Sequence, residues 1–354
     1  IMSKKNKDVF STVDSLNRRK FIFTSGSALV SFTLLGGNAF SALPKLKKKS
    51  KYKVGFAQTE SNNPWRLAQT KSMKDTAAEY GWDLVYTDAA GSAAKQVSDV
   101  RSMIAQRVDV ILLAPREEKP LAVAVKEAKR ANIPVFLIDR NVDQKLAKAG
   151  EDYVAFVGSD FVKEGRICGE VCAKVMNGNA KIIELQGTTG SSPAIDRGKG
   201  FAEAISSFPN MKIVASQSGD FARDKGRQVF ETLYQSHPEA DLVYSHNDEM
   251  TMGAIAALEA AGKVPGKDVM LASIDGTADA AKAVMAGKVI VCVECSPKFG
   301  PKAFELIKKL ANGEKIPTNV GNIDRVFTKD NPKWVRDKYG ELAMTAKDYL
   351  PEAF

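Results

Sequence analysis

Short apolar runs and longer amphipathic segments alternate along this chain from Lys53 onward. The short runs, roughly five or six residues each, are typical of buried β-strands, and the longer segments are typical of helices. A strand–helix–strand rhythm builds right-handed βαβ units, in which helices cover both faces of a parallel sheet. Because about ten strands fit two sheets better than one, we predict an α/β protein with two doubly wound parallel-sheet domains.

The bounds of these elements follow from the apolar runs and from helix-terminal residues such as Pro64 and Gly81. The predicted strands are 53–58, 83–87, 109–114, 133–138, 154–158, 181–186, 212–217, 241–245, 269–274 and 289–294. The predicted helices are 64–80, 93–106, 119–131, 161–176, 193–208, 223–235, 249–261, 278–286 and 297–311. On this linear pattern, the polar loop at 141–153 is the first domain boundary.

One predicted strand ends in a pair of adjacent opposite charges, Asp139 and Arg140. The preceding run from Ile133 to Ile138 is apolar without alternation, as in a central parallel strand. In open α/β sheets ligands bind beyond the carboxyl ends of the strands, so this pair is placed to hold a polar ligand. The alternative is that Asp139 caps the next element and that Arg140 is a solvated charge at the rim.

Most of the formal net charge of +9 lies at the N-terminus. Residues 1–53 contain twelve Lys or Arg and only two Asp, which leaves a net charge of −1 for residues 54–354. A nearly neutral body gives no electrostatic reason to bind a polyanion, so no nucleic-acid partner is expected.

The basic N-terminus has the pattern of an export signal. Arg18-Arg19-Lys20 opens a weakly apolar run that ends near Phe40, and paired arginines indicate the twin-arginine type. Its serines and glycines make it a poor membrane span, and no cysteine offers a lipoprotein anchor. We expect a signal over 1–42, a basic leader over 43–51, and a periplasmic protein without a stable membrane anchor.

Motifs of catalytic, cofactor and metal sites are missing from the sequence. The first predicted strand is followed by no glycine-rich phosphate loop, and no G-x-S-x-G elbow occurs. His246 is the candidate general base, but no nucleophile accompanies it. Cys168 and Cys172 are interpreted as core residues without zinc spacing, and a bond between Cys292 and Cys295 stays open. We therefore expect no cofactor, no metal, no catalytic residue and no enzymatic activity.

Polar or aromatic side chains follow nearly every predicted strand in both halves of the chain. Any one of them is more often a cap, but the joint pattern favours a ligand site. Carboxylates accept hydrogen bonds from hydroxyl groups, Arg and Asn donate them, and aromatic rings cover the C–H face of a sugar. The set comprises Gln58, Glu60, Asn63, Trp65, Arg66, Asp139, Arg140, Gln186, Asp196, Arg197, Asp220, Phe221, Asn247, Asp248 and Asp275. The pattern predicts a neutral polyol as the ligand.

Taken in order, several of these segments resemble the type I periplasmic sugar-binding proteins of ABC importers, in the ribose/galactose group. The chain is most similar to the periplasmic galactofuranose-binding proteins. The matching segments are 54–58 with 65–66, 136–140, 184–187 with 194–197 and 199–205, 216–221, 246–250 and 273–276.

The resemblance implies two domains joined by a hinge, with a ligand cleft between them. Three crossovers are expected near 158–160, 294–297 and 321–325. The N-terminal domain would then comprise 52–158 and 296–323, and the C-terminal domain 159–295 and 324–354. The helix after Pro297 would return to the first domain.

The resemblance also implies which residues contact the ligand. Together with Gln58 from the strand-end pattern, the expected contacts are Trp65, Arg66, Asp139, Arg140, Arg197, Phe221, Asn247 and Asp275. Trp65-Arg66 replaces the paired phenylalanines of ribose binders, and the added guanidinium favours a ligand with an extra exocyclic hydroxyl, such as a hexofuranose. Cys295 replaces an amide of the ribose-type pattern, and Ile274 replaces a phenylalanine.

These expectations combine into one function. The chain would bind a monosaccharide as a monomer and deliver it to the permease of an ABC importer. The alternative is a sensor protein that presents its ligand to a chemoreceptor or kinase; an exported enzyme is a weaker one. A sugar-responsive repressor would need a DNA-binding segment where the export signal lies. The tail after about residue 328 carries no functional prediction.

Overall fold

The computed structural model describes residues 42–354, so most of the predicted export signal lies outside the described residues. The strands, in chain order, are β1 (Lys53–Gln58), β2 (Asp83–Asp88), β3 (Val110–Leu113), β4 (Val135–Ile138), β5 (Ala155–Gly158), β6 (Asn179–Gln186), β7 (Asn210–Ser218), β8 (Leu242–Ser245), β9 (Met270–Asp275), β10 (Val291–Glu294), β11 (Asn319–Gly321), β12 (Val326–Thr328) and β13 (Ala343–Thr345). Among the described residues, no helix has both the length and the apolarity that crossing a membrane requires.

Nine helices of the described residues match the predicted alternation, and two short ones near the C-terminus were not predicted. They are α1 (Pro64–Tyr80), α2 (Ala93–Ala105), α3 (Glu118–Arg130), α4 (Phe161–Val175), α5 (Ser192–Ile205), α6 (Arg223–Ser236), α7 (Asp248–Ala260), α8 (Ala278–Met285), α9 (Gly300–Ala311), α10 (Lys333–Tyr339) and α11 (Ala346–Tyr349). Asn63 caps α1 by accepting from the backbone N–H of Arg66, and Gly81 ends it in the left-handed conformation. For this helix and for β1, the predicted bounds are confirmed residue for residue.

The strands form two separate sheets. One has the order β11-β5-β4-β3-β1-β2, and the other has the order β13-β12-β10-β9-β8-β6-β7. Every strand pair described is parallel except β10 with β12, which is antiparallel. All residues of β3 and β4 are buried, because helices cover both faces of the sheet. The predicted fold class, two doubly wound α/β units, is confirmed.

We call the six-stranded sheet with α1–α3 and α9 the N-lobe, and the seven-stranded sheet with α4–α8, α10 and α11 the C-lobe. The chain passes from the N-lobe to the C-lobe after β5, because β5 pairs with β4. The boundary that the linear pattern placed at 141–153 is therefore wrong. After β10 the chain returns, and Phe304 of α9 stacks on Trp82 of the N-lobe with ring centroids 5.4 Å apart. It crosses a third time between β11 and β12.

The C-terminal tail completes the C-lobe. β12 inserts beside β10, β13 pairs with β12, and Tyr349 stacks on Phe327 with centroids 4.2 Å apart. The Tyr349 hydroxyl donates to the carbonyl oxygen of Gly276 at 3.0 Å. Since Gly276 follows directly on Asp275, the tail supports the loop at the end of β9.

Candidate functional site

A cavity of about 320 Å³ lies between the lobes, beyond the carboxyl ends of the strands. The residues that line it are Asn63, Trp65, Arg66, Asp139, Arg140, Pro193, Arg197, Phe221, Asn247, Asp275 and Cys295. The structure thus brings together eight of the nine residues predicted from the sequence; Gln58 is the exception.

The N-lobe wall begins with the first turn of α1. Because Asn63 caps this turn, Trp65 and Arg66 have fixed positions at the cavity. The Trp65 indole Nε1 donates to the carbonyl oxygen of Cys295 at 2.7 Å, which fixes the ring against the second crossover. Arg66 Nη1 lies 2.8 Å from Asp139 Oδ2 and donates to Gln69 Oε1 at 2.9 Å.

Asp139 and Arg140 leave β4 toward the cavity, and both are almost fully buried. Asp139 has a φ of 67°, and its N–H donates to the carbonyl oxygen of Val157 at 2.8 Å, which holds the turn. Asp139 Oδ2 is ion-paired with Arg66, but within residues 42–354 neither this oxygen nor Arg140 Nε has a hydrogen-bond partner. Such buried polar groups are costly unless a ligand satisfies them. Burial, with the cation of Arg66 beside it, lowers the pKa of Arg140 to about 9.

The C-lobe wall is built around Arg197 of α5. Its Nε donates to Glu164 Oε2 at 2.7 Å, its Nη1 to the carbonyl oxygen of His246 at 2.6 Å, and its Nη2 to Asp275 Oδ1 at 3.4 Å. Burial raises the pKa of Asp275 well above its usual range and raises that of Glu164 to about 8, although Arg197 opposes both shifts. The guanidinium is thereby held in one orientation.

Phe221 closes the cavity as an aromatic wall. The guanidinium of Arg140 lies 5.3 Å from the centroid of its ring, and that of Arg197 lies 5.9 Å away. A Cβ atom on Gly187 would overlap the ring, so only glycine fits there. Asn247 caps α7 through Oδ1 and donates from Nδ2 to the carbonyl oxygen of Phe221 at 3.2 Å. The cavity therefore combines carboxylates, guanidinium groups, two amides and two ring faces.

Residues 54–315 match the model of the periplasmic binding protein domain. This chain belongs to that family. It is 42% identical over 268 residues to the galactofuranose-binding protein YtfQ of Escherichia coli strain K12, covering 75% of this chain and 83% of the relative. The resemblance predicted from the sequence is confirmed.

Solved structures support the same assignment. The crystal structure of a galactofuranose binding protein matches with a TM-score of 0.78 and 38% identity, over 85% of this chain and 98% of that one. The binding component of the arabinose ABC transporter from Shewanella sp. ANA-3, bound to α- and β-L-arabinofuranose, matches with a TM-score of 0.73 and 39% identity. That match covers 82% of this chain and 97% of the other.

Gln58 of this periplasmic binding protein does not line the cavity, which corrects the expectation that it contacts the ligand. Its side chain is fully buried between β1 and α1. Gln58 Oε1 accepts from the N–H of Thr59 at 2.9 Å, and Nε2 donates to Gln69 Oε1 at 2.8 Å. Gln58 is thus linked to Arg66 only through Gln69, which accepts hydrogen bonds from both.

His246 is occupied in the core of the C-lobe. The N–H of Gly187 donates to its Nδ1 at 3.3 Å, so Nε2 carries the proton and donates to Glu184 Oε1 at 3.0 Å. Burial lowers the pKa of His246, which keeps the ring neutral. These hydrogen bonds give His246 a structural role in the C-lobe.

The cysteines and the acidic residues form no covalent or metal centre in residues 42–354. All four cysteines are free and buried, so Cys292 and Cys295 form no bond with each other. The interpretation of Cys168 and Cys172 as core residues is confirmed. No group of three or more His, Cys, Asp or Glu side chains in this part of the chain is arranged to hold a metal ion.

Sequence reasoning missed four contributors to the site. Asn63 stood in the strand-end set but was not selected, and Pro193 and Cys295 were read only as a helix start and as a change of pattern. Glu164 was not considered, because it lies in the first turn of α4 rather than at a strand end. The sequence signal that could have identified Glu164 was its position as an acidic residue in the helix that follows the first crossover.

Proposed function

We propose that this chain is the substrate-binding component of an ABC sugar importer and that it binds one monosaccharide in the cavity between the lobes. The observation that carries the proposal is that Asp139 Oδ2 and Arg140 Nε, two buried groups of opposite charge on one wall, take part in ion pairs but make no hydrogen bond among the described residues. A sugar hydroxyl both donates and accepts, so one polyol can satisfy both groups.

The rest of the cavity fits the same ligand. The Trp65 indole and the Phe221 ring offer apolar faces for the C–H groups of a sugar, while Arg197, Asn247 and Asp275 surround its edge with polar atoms. The lining mixes three arginines with two aspartates instead of presenting one sign of charge alone. The names of two similar proteins, a galactofuranose binder and a complex with arabinofuranose, favour the furanose form.

We propose that Arg66 selects the length of the exocyclic arm. A furanose ring carries its remaining carbons outside the ring, and a hexose has one hydroxymethyl group more than a pentose. Arg66 stands at the N-lobe wall with a guanidinium that donates up to five hydrogen bonds. We therefore expect a hexofuranose such as galactofuranose to bind more tightly than pentoses.

The two lobes would close around the sugar by rotation about the three crossovers. The limits we propose are 52–158 and 296–323 for the N-lobe, and 159–295 and 324–354 for the C-lobe. We propose that the twin-arginine signal exports the chain to the periplasm, where it acts as a monomer with no stable membrane anchor and delivers its ligand to the permease. It would release that ligand chemically unchanged, as a binding protein rather than an enzyme.

The first test is a thermal-shift screen of residues 43–354 against galactose, arabinose, ribose, xylose, glucose and fructose. A ligand at a hundred times its Kd adds about 2.7 kcal/mol to the free energy of unfolding, which raises Tm visibly. Carbon-13 NMR of the bound sugar then identifies its ring form, and recovery of the unchanged sugar after incubation excludes turnover. If no sugar raises Tm, the proposed ligand class is wrong.

A further inference from the structure

Two buried glutamines connect the interior of the N-lobe to the cavity wall. Gln58 and Gln69 are both fully buried, and neither lines the cavity. Gln69 Oε1 accepts two hydrogen bonds, one from Gln58 Nε2 at 2.8 Å and one from Arg66 Nη1 at 2.9 Å. Gln58 also donates to the Thr70 hydroxyl at 3.1 Å, so its own amide is fixed. The result is a chain of amides that ends on the guanidinium.

The orientation of the Gln69 amide is determined by its neighbours. Arginine can only donate, and Gln58 Oε1 is already occupied by the N–H of Thr59. Arg66 Nη1 and Gln58 Nε2, the two groups that face Gln69, are therefore donors, and only the side-chain oxygen of Gln69 can accept from them. Gln69 Nε2 meanwhile has no hydrogen-bond partner among the described residues. Because burying an unsatisfied donor is costly, we infer that the Gln69 amide is buried here for its oxygen, which accepts the two hydrogen bonds.

The oxygen of Gln69 shares Arg66 with Asp139. Arg66 Nη1 lies 2.8 Å from Asp139 Oδ2 as an ion pair, and the same nitrogen donates to Gln69 Oε1 at 2.9 Å. The guanidinium also lies 4.5 Å from the centroid of the Trp65 ring. Without the acceptor of Gln69, the guanidinium could turn further onto Asp139, and its remaining donors would no longer be directed at the sugar.

We propose that Gln69, oriented by Gln58, is a positioning residue that determines sugar affinity and preference by fixing the orientation of the Arg66 guanidinium beside Asp139. The inference rests on the proposed function and extends it to two residues that need not touch the ligand. It also accounts for the position of Gln58, which the strand-end pattern selected and the structure places behind the wall. The proposal requires a hydrogen-bond acceptor at position 69 to orient Arg66, and it does not require that this acceptor be an amide.

The test compares Gln69→Leu, which removes the acceptor, with Gln69→Glu, which keeps it. Binding of D-galactose and L-arabinose is measured by calorimetry; the two sugars share their configuration and differ by one terminal hydroxymethyl group. We expect Gln69→Leu to weaken galactose binding by about tenfold or more and to reduce the preference for galactose over arabinose. Gln69→Glu should remain within about threefold of the wild type.

A double-mutant cycle separates positioning from a merely structural role. In an Arg66→Leu background, Gln69→Leu should change affinity by less than about twofold, because no guanidinium is left to position. Gln58→Leu should give part of the Gln69→Leu effect and serves as a second variant if the latter fails to fold. The matched control is Gln96→Leu, since Gln96 is an equally buried N-lobe glutamine that bonds only backbone groups, of Ala57, Ala114 and Arg116. It should lower Tm and leave the sugar preference unchanged.

The outcomes are distinct. If the wild type binds no sugar of the six-sugar panel, the proposed function is overturned and this inference with it. If it binds another sugar of the panel but neither galactose nor arabinose, the preference assigned to Arg66 is overturned, and this inference with it. If the wild type binds but Gln69→Leu leaves affinity and preference unchanged, the inference alone is overturned. The same holds if Gln69→Leu weakens binding equally with and without Arg66, or if Gln69→Glu loses as much as Gln69→Leu.

Discussion

At the scale of single residues, Asp139 combines backbone strain with a buried carboxylate oxygen that is ion-paired with Arg66 but accepts no hydrogen bond among the described residues. Its φ of 67° is rare for a residue other than glycine, and the backbone bond to Val157 holds it there. Strain of this kind persists where the surrounding structure enforces it, which is common at ligand sites. The carboxylate is thus presented to the cavity before any ligand arrives.

We predict that Asp139→Ala weakens sugar binding by about 2–4 kcal/mol, because it leaves ligand hydroxyls unpaired in a dry cavity beside Arg66 and Arg140. Calorimetry with the best sugar of the panel measures the change. Asp75→Ala is the control, since Asp75 is an exposed residue of α1 that pairs with Lys71 on the surface. An affinity equal to that of the wild type would remove Asp139 from the site.

A second residue-level prediction concerns pH. Asp324 lies in the third crossover and accepts from the Ser159 hydroxyl of the first crossover at 2.8 Å. Burial raises the pKa of Asp324 from 3.8 to about 6. Between these values the folded chain holds a proton that the unfolded chain has lost, so the contribution of Asp324 to stability falls as the pH rises from about 4 to 6.

The Asp324→Asn variant removes this dependence. Its free energy of unfolding relative to the wild type should improve by about 3 kcal/mol between pH 3.5 and pH 7, because the wild type must carry a buried charge at the higher pH. Urea titrations of both proteins across this range measure the difference. Parallel pH profiles of the two proteins would show that Asp324 keeps an ordinary pKa.

At the scale of elements, the contact between α4 and α5 determines where Arg197 stands. A Cβ atom on Gly165 would overlap the carbonyl oxygen of Arg197, and one on Gly200 would overlap that of Val162. The two helices approach so closely only because glycines face each other's backbones. This contact brings Glu164 of α4 within 2.7 Å of the Arg197 guanidinium.

Gly165→Ala should therefore push α5 away from α4. We predict a loss of about 1–3 kcal/mol in the free energy of unfolding and weaker sugar binding, because Arg197 moves with its helix. Thermal unfolding and calorimetry report the two effects. The control Gly321→Ala should be near neutral, since no atom of residues 42–354 lies within 4 Å of a Cβ added there. If Gly165→Ala is destabilised but binds sugar as the wild type does, the contact between α4 and α5 does not determine the position of Arg197 at the site.

The elements also show what the sequence could predict. Strands such as β3 and β4 are continuous apolar runs between clear helices, and their existence followed from the pattern alone. β11, β12 and β13 have three residues each, too few for any periodicity, and they were not predicted. Their positions depend on the crossovers, which only the family resemblance indicated.

The site was predictable for a similar reason, and within similar limits. Parallel strands bring their carboxyl ends together, so Asp139, Arg140, Asn247 and Asp275 could be placed in one cleft without coordinates. Gln58 obeys the same rule in sequence, yet its side chain packs under α1, since strand position alone does not determine the direction of a side chain. Glu164 lies in the first turn of α4 and not at the end of a strand, so the strand-end pattern could not select it.

At the scale of the whole molecule, an ion bridge joins the lobes at the mouth of the cavity. Arg116 follows β3 in the N-lobe, and its Nη1 lies 2.5 Å from Glu60 Oε2. Its Nη2 lies 3.0 Å from Asp220 Oδ1 of the C-lobe. Asp220 directly precedes Phe221, and both have left-handed backbones with φ values of 57° and 59°. Cleft closure and placement of the aromatic wall are thus linked through adjacent residues.

This link predicts how Asp220→Asn behaves. Asp220 is partly exposed, so the loss of its pair with Arg116 should weaken binding only modestly, by about threefold to tenfold. Because the bridge acts on closure and touches no ligand, every sugar should lose by the same factor, chiefly through faster release. Stopped-flow fluorescence of Trp65, which lines the cavity, follows that release.

Salt and a neighbouring aspartate provide the controls. Raising the ionic strength should weaken wild-type binding toward the level of Asp220→Asn and change the variant little, since salt screens a partly exposed pair. Asp224→Asn alters an exposed aspartate of the same segment and should leave release unchanged. A variant that changed the preference among sugars would instead place Asp220 in the ligand site. Release at the wild-type rate would mean that the closed lobes are held by the ligand and the backbone contacts alone, such as that between Glu118 and Gly190.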